Sequence, residues 1–205
     1  MAVSFVIATS LASRSAVQLA LYLPALPFMV DFFLNERYYA ELMYLSGLYS
    51  VQLLLLTLSV TPLRRCFHRL PAGAQKMLLP TMRWLIRFRR QFGIATFAYA
   101  LIHAGIYIKY NVPLADILTE ALDMELLVGW ISLGILLILA MTSNDGSVNR
   151  LGSWWPRLHM VVHPVSLLVF IHWFLFEFFG YTIYVLAGIL LLMQVVRVSI
   201  SEKRT

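Results

Sequence analysis

The sequence predicts an all-α integral membrane protein, a six-helix transmembrane bundle with both termini in the cytoplasm. Three observations carry that reading. Hydrophobic residues fill 60% of the 205 positions and charged residues only 13%, and mean hydropathy is +0.78. A soluble domain of this size has no use for so much apolar surface. Apolar runs long enough to cross a bilayer recur along the chain, and the charges between them sort by alternate loops.

The expected spans are 12–33, 46–62, 92–110, 126–142, 158–178 and 181–198, within a single domain covering 1–205. Residues 1–12 are apolar and lack a basic n-region, so they read as a lead-in rather than a cleaved signal. Pro24 and Pro27 are expected to kink the first span, whose inner end Arg14 marks. Segments 62–91 and 143–157, the C-terminal tail and Arg14 carry 14 of the 16 basic residues. The other three loops carry Asp31, Glu36, Glu41, Asp116, Glu120, Asp123, Glu125 and Glu177, which are 8 of the 10 acids. The positive-inside rule then puts both termini of this multi-pass protein in the cytoplasm.

The longest connection, 62–91, contains the breaker run Pro71-Ala72-Gly73-Ala74. After Pro80, Arg83, Arg87 and Arg90 share one helical face. This basic amphipathic segment is expected to lie on the anionic inner leaflet and run into the third span. The sharper alternative is that it also docks a cytoplasmic electron donor or a flavin phosphate. The pI near 9.7 therefore speaks for the lipid bilayer and not for nucleic acid. Trp84, Trp154 and Trp155 read as an aromatic belt at the same surface. The lone Cys66 excludes an intrachain disulfide, and without a CxxCH motif covalent haem attachment is excluded too. There is no P-loop, GxGxxG, nucleophile elbow or HExxH.

What remains chemically loaded is histidine. The fifth span carries His159, His163 and His172, and the third carries His103. An ionisable group in hydrocarbon is costly enough to be a functional candidate. His103 lies 13 residues beyond Arg90 and His172 lies 15 beyond Arg157, so both are about 20 Å outward from the inner surface. Two neutral imidazoles at one level on two helices suit a bis-histidine haem, each Nε2 on iron and each Nδ1–H on a nearby acceptor. Thr96, Tyr99, Ala100 and Tyr107 share the face of His103; Tyr99 is a candidate partner for a propionate or a water. The competing readings are ordinary buried histidines and a proton relay.

His159 is the candidate ligand of an inner cofactor, but its counterpart on the third span is Arg90 rather than histidine. Thirteen residues is not a whole number of turns, so on an ideal helix His159 and His172 diverge by about 140°. Pro164 lies between them and can reset the phase. His163, one turn on, can substitute for His159 or bond to it, and His68 reads as a surface residue.

Taken in order, Leu55-Leu56-Thr57-Leu58-Ser59-Val60-Thr61-Pro62-Leu63, Arg89-Arg90-Gln91-Phe92-Gly93, His103, Met141-Thr142-Ser143, Leu151-Gly152, Trp155, Leu158-His159 and His172 form a recognisable set. Over about residues 47–175 the chain resembles the MsrQ (YedZ) family of haem-binding membrane subunits, within the ferric-reductase-like transmembrane superfamily. That resemblance implies a six-helix cytochrome b with one or two haem b groups, FMN being an open alternative. It implies a non-catalytic electron-transfer subunit of an oxidoreductase. Electrons pass from quinol or a cytosolic flavin reductase to a periplasmic molybdopterin reductase that repairs oxidised methionine. By position His103 and His172 match the family's ligands on the third and fifth helices, and His159 matches the histidine near the inner end of the fifth. Two departures stand out: His163 replaces a tyrosine, and the first forty residues match loosely.

The chain stops soon after the sixth span, so no flavin- and nicotinamide-binding domain is expected in it and electrons must arrive from elsewhere. The outer histidine pair is the expected exit, with loops 34–44 and 111–125 as the docking platform for an acceptor. Two rival classes remain on sequence alone: a small transporter or proton channel using the histidines as a relay, and a purely structural assembly subunit.

Overall fold

A computed structural model describes residues 14–27, 30, 39–110, 117, 119–176 and 180–199. Among them are α1 (Arg14–Tyr22), α2 (Tyr39–Phe67), α3 (Ala72–Tyr110), α4 (Met124–Met141), α5 (Asp145–Leu151), α6 (Trp154–His159), α7 (Val162–Phe176) and α8 (Tyr181–Ser199). Among the described residues five stretches are long and apolar enough to cross a membrane: α2, α3, α4, α6 with α7, and α8. The expected first span lies only partly within the described residues. There, α1 ends in a turn at Leu23–Pro24 before a short helical stretch at residues 25–27.

The second and third spans are longer than their apolar runs. Pro62 was expected to close the second, yet it lies buried inside α2, which continues to Phe67. A proline in a helix forfeits one ladder bond, and packing on both sides of the helix offsets that loss. At the other end α2 begins at Tyr39, with Leu42 buried, so half of the expected outer loop 34–44 is helix. The predicted break at Pro71–Ala74 falls slightly early, because Ala72 already opens α3. Gln75 stitches that turn, its Nε2 donating to the carbonyl of Leu70 at 2.8 Å.

The 39 residues of α3 extend about 58 Å at the usual rise, roughly twice the thickness of the hydrocarbon core. The first half of α3, with Arg83 and Arg87 exposed, is a helical basic segment that runs into the third span, as the charge pattern predicts. α2 and α3 pack antiparallel along most of their length, with small polar residues between them. Ser50 donates to the Thr96 carbonyl at 3.0 Å, while Thr96 and Thr57 bond back to their own helices. Small hydroxyl residues let helix axes approach closely without leaving donors unmet.

Around this hairpin α1 covers Phe88 and Phe92 through Val17. α8 and α7 pack on the other flank through Leu54, Leu58, Phe170, Ile183 and Leu190, and α4 packs against α7 and α3. The fifth span is not one continuous helix. Pro164 has no N–H for the Met160 carbonyl, which instead accepts from His163 at 3.1 Å in a tight turn between α6 and α7.

Candidate functional site

α2, α3, α4 and α7 enclose a cavity of ≈ 570 Å³. His103 on α3 and His172 on α7 enter it from facing walls, their ring centroids 6.4 Å apart and their planes 88° to one another. Both rings are held by their Nδ1 atoms. His103 Nδ1 donates to the Met43 carbonyl at 3.0 Å, with Ser46 Oγ at 3.2 Å. His172 Nδ1 donates to the Glu125 carbonyl at 2.7 Å. A carbonyl only accepts, so each Nδ1 carries the proton and each Nε2 keeps its lone pair. Among the described residues neither Nε2 makes a hydrogen bond.

Each imidazole lies against a glycine of the neighbouring helix. A Cβ on Gly47 would stand 3.2 Å from His103 Cε1 and Nδ1; one on Gly129 would stand 2.7 Å from His172 Cε1. The rest of the lining is aliphatic and aromatic with a few hydroxyl groups, and among the described residues His103 and His172 are its only ionisable groups besides tyrosines. Trp130 forms part of the wall, edge-on to Tyr107 at 6.3 Å. Its indole N–H is buried and has no acceptor among the described residues. Tyr107 donates to Glu120 at 3.0 Å.

The other expected site residues lie elsewhere. Tyr99 is buried, stacks on Tyr49 at 5.5 Å and donates to the Leu21 carbonyl at 3.0 Å, outside this cavity. His159 stacks on Trp155 at 4.0 Å, with Nδ1 on the Trp155 carbonyl and Nε2 3.2 Å from Ser143 Oγ. His163 Nδ1 accepts from Gln194 Nε2 at 3.2 Å, and Gln194 Oε1 accepts from Arg197 at 3.1 Å. In its neutral form that ring carries its proton on Nε2, the reverse of the outer pair. Arg90 pairs with Asp145 at 2.6 Å. So the structure unites His103 with His172, while His159, His163 and Arg90 each have local partners at the other end. Because of the break at Met160, His159 and His172 both address α4, one at its end and one at its start.

Sequence reasoning missed Gly47, Gly129, Ser46 and Trp130. The available signal was an isolated glycine inside each of two apolar runs, which often marks a close approach.

The family described as "Ferric reductase like transmembrane component" matches residues 46–171, a stretch that holds most of the cavity lining, from Gly47 to Val169, and ends one residue before His172. The chain belongs to that family. Within the ferric-reductase-like family it is similar to proteins named protein-methionine-sulfoxide reductase heme-binding subunit MsrQ. The relative from Xanthomonas axonopodis pv. citri is 35% identical over 140 residues, 66% of this chain and 58% of that one. That from Xanthomonas campestris pv. campestris (strain B100) is 36% identical over the same shares. The Brucella ovis relative is 35% identical over 123 residues, 58% of this chain and 50% of its own. The match spans little more than half the length of these relatives. No solved structure matches the chain.

Proposed function

We propose that this chain is a haem-binding electron-transfer subunit in which His103 and His172 would hold the iron of a haem b. The observation that carries the reading is the ring separation of 6.4 Å inside an apolar cavity. Two metal–nitrogen bonds of about 2 Å, each followed by about 1.1 Å to the ring centre, put two imidazole centroids about 6 Å apart across one metal ion. Among the described residues no group of three or more His, Cys, Asp or Glu gathers, which suits an iron that would bring further nitrogens in its own porphyrin ring. The unmet Trp130 N–H suits an acceptor on such a group, such as a propionate. Haem iron alternates between ferric and ferrous states and so carries one electron at a time. The protein's part is to fix both Nε2 lone pairs, exclude water and hold the ring edge.

The inner face supports an entry side. Arg83 and Arg87 are exposed on the α3 extension and suit an anionic donor surface or a flavin phosphate; the donor class is a quinol or a cytosolic flavin reductase. The exit side is outward, toward a periplasmic molybdopterin reductase of methionine sulfoxide, in line with the names of the relatives. Such a placement puts the chain in the bacterial inner membrane. The relay reading is less well supported, since no carboxylate among the described residues lines the cavity beside the two imidazoles.

A visible spectrum of the detergent-purified protein tests the reading. Dithionite reduction should sharpen an α-band and shift the Soret band, with about one haem per chain lost in His103→Ala. A protein that folds and binds no haem would end the proposal.

A further inference from the structure

The two imidazole seats are built alike. Met43 and Gly47 stand four residues apart on α2, and Glu125 and Gly129 stand four apart on α4. In each pair the first residue gives its carbonyl to an imidazole Nδ1–H and the second lies against the same ring. Side chains at i and i+4 lie one above the other on a helix, so a glycine there opens the flank of the carbonyl one turn earlier. One position breaks the match. Ser46, fully buried on α2, answers to Val128 on α4, whose side chain makes no hydrogen bond.

Ser46 Oγ donates to the Met43 carbonyl at 3.0 Å and lies 3.2 Å from His103 Nδ1. With its proton on that carbonyl, the hydroxyl meets His103 through a lone pair. The His103 Nδ1–H is therefore shared between two acceptors, at 3.0 and 3.2 Å. His172 has one, the Glu125 carbonyl at 2.7 Å, with Phe176 packed edge-on at 5.2 Å. Nδ1 lies off the line from the ring centre through Nε2, so turning the ring about that line swings its N–H round a circle. A single acceptor tolerates a wide arc of that circle, and two side by side fix a narrow one. The rings so held stand with their planes 88° to one another. Hydrogen bonds to the outer nitrogen of a metal-binding imidazole set its orientation as well as its tautomer. We propose, resting on the haem reading above, that Ser46 is a positioning residue that holds the His103 ring crosswise to the His172 ring. Parallel imidazole planes split two of the d orbitals of low-spin ferric iron in energy, whereas crossed planes leave them nearly equal.

Electron paramagnetic resonance of the frozen, ferric, haem-loaded protein reads that difference. The wild type should show a single strongly anisotropic feature at low field, the mark of crossed planes. Ser46→Ala, with haem content unchanged, should move that feature to higher field and broaden it toward a resolved rhombic spectrum. Ser46→Thr, which keeps the hydroxyl, should leave the feature where the wild type has it, and a shift as large as that of Ser46→Ala would count against the proposal. Ser59→Ala should change nothing, although Ser59 is also buried on α2 and also donates to the carbonyl three residues before it. A haem-loaded wild type with a resolved rhombic spectrum would overturn the crossed arrangement and leave the haem reading standing. A wild type that binds no haem would overturn both. An unmoved feature in Ser46→Ala would remove Ser46 from the role. If Ser46→Ala holds no haem, Ser46→Cys decides, because sulfur accepts only weakly: a displaced feature supports the proposal and an unmoved one overturns it.

Discussion

Gly129 lies so close beneath the His172 imidazole that a methyl group in place of its hydrogen would stand 2.7 Å from Cε1 and 2.8 Å from Nδ1. No rotamer adjustment of alanine relieves such a contact, so the ring or the α4 backbone must move. Gly129→Ala should therefore displace His172 from the Glu125 carbonyl and strip haem from the protein. Gly47→Ala, with 3.2 Å to His103, should weaken retention without abolishing it. Gly134→Ala, which meets nothing within 4 Å, should behave as wild type. Haem-to-protein ratios across the three variants check the order.

The proposed haem site makes a sharper distinction among the histidines. His103→Ala and His172→Ala should each remove nearly all of the haem bound in the outer cavity, because a lone imidazole leaves the iron five-coordinate or lost. His159→Ala and His163→Ala should leave the outer spectrum unchanged, since their partners are Ser143, Trp155 and Gln194. A full outer-haem spectrum in His103→Ala would remove that residue from the site.

Trp130→Phe keeps most of the ring and deletes the unmet N–H. If that group meets a carboxylate of the cofactor, its loss should weaken haem retention by about 1.5–3 kcal/mol, the usual worth of a hydrogen bond to a charged partner. Haem transfer to apomyoglobin, timed for both proteins, measures this. Identical transfer rates would leave Trp130 as wall only.

Electron entry should depend on the exposed inner face of α3. Arg83→Gln with Arg87→Gln should slow reduction by an anionic cytosolic donor, and the difference from wild type should fade as salt rises. Arg90→Gln should matter less to the donor, because Arg90 is already paired with Asp145. Stopped-flow reduction at two ionic strengths separates these outcomes.

On the outer side, Asp116 lies outside the described residues, but Asp123 is exposed at the start of α4. Asp123→Lys should slow delivery to a periplasmic acceptor with a basic surface while leaving haem content intact. Unchanged delivery would move the docking platform elsewhere.

Much of this site is legible in the sequence because membranes impose a ruler. A histidine's distance from the nearest basic cluster gives its depth, so His103 and His172 could be paired before any helix was placed. The position of Pro164 likewise foretold the break that turns His159 and His172 toward one neighbour. What could not be read was the length of helix beyond the apolar runs. Residues 39–45 and 72–80 are helical because they pack on a partner or continue a ladder, and neither cause leaves a periodic apolar signature. The seats of the two rings were hidden for a related reason: a glycine inside a hydrophobic run reads the same whether it faces lipid or an imidazole.

Met43 and Glu125 orient the two imidazoles through main-chain oxygens, not through their side chains. The identities at those positions are thus free to drift, since any residue offers the same carbonyl. What is not free is the phase of the helices that carry them. A single-residue deletion in α2 between Met43 and Gly47 would rotate the acceptor away from His103 by about 100°. The same deletion between Glu125 and Gly129 would do this to His172. Along these segments, substitutions should be tolerated and indels should be lethal to cofactor binding, the opposite of the pattern expected where side chains do the holding.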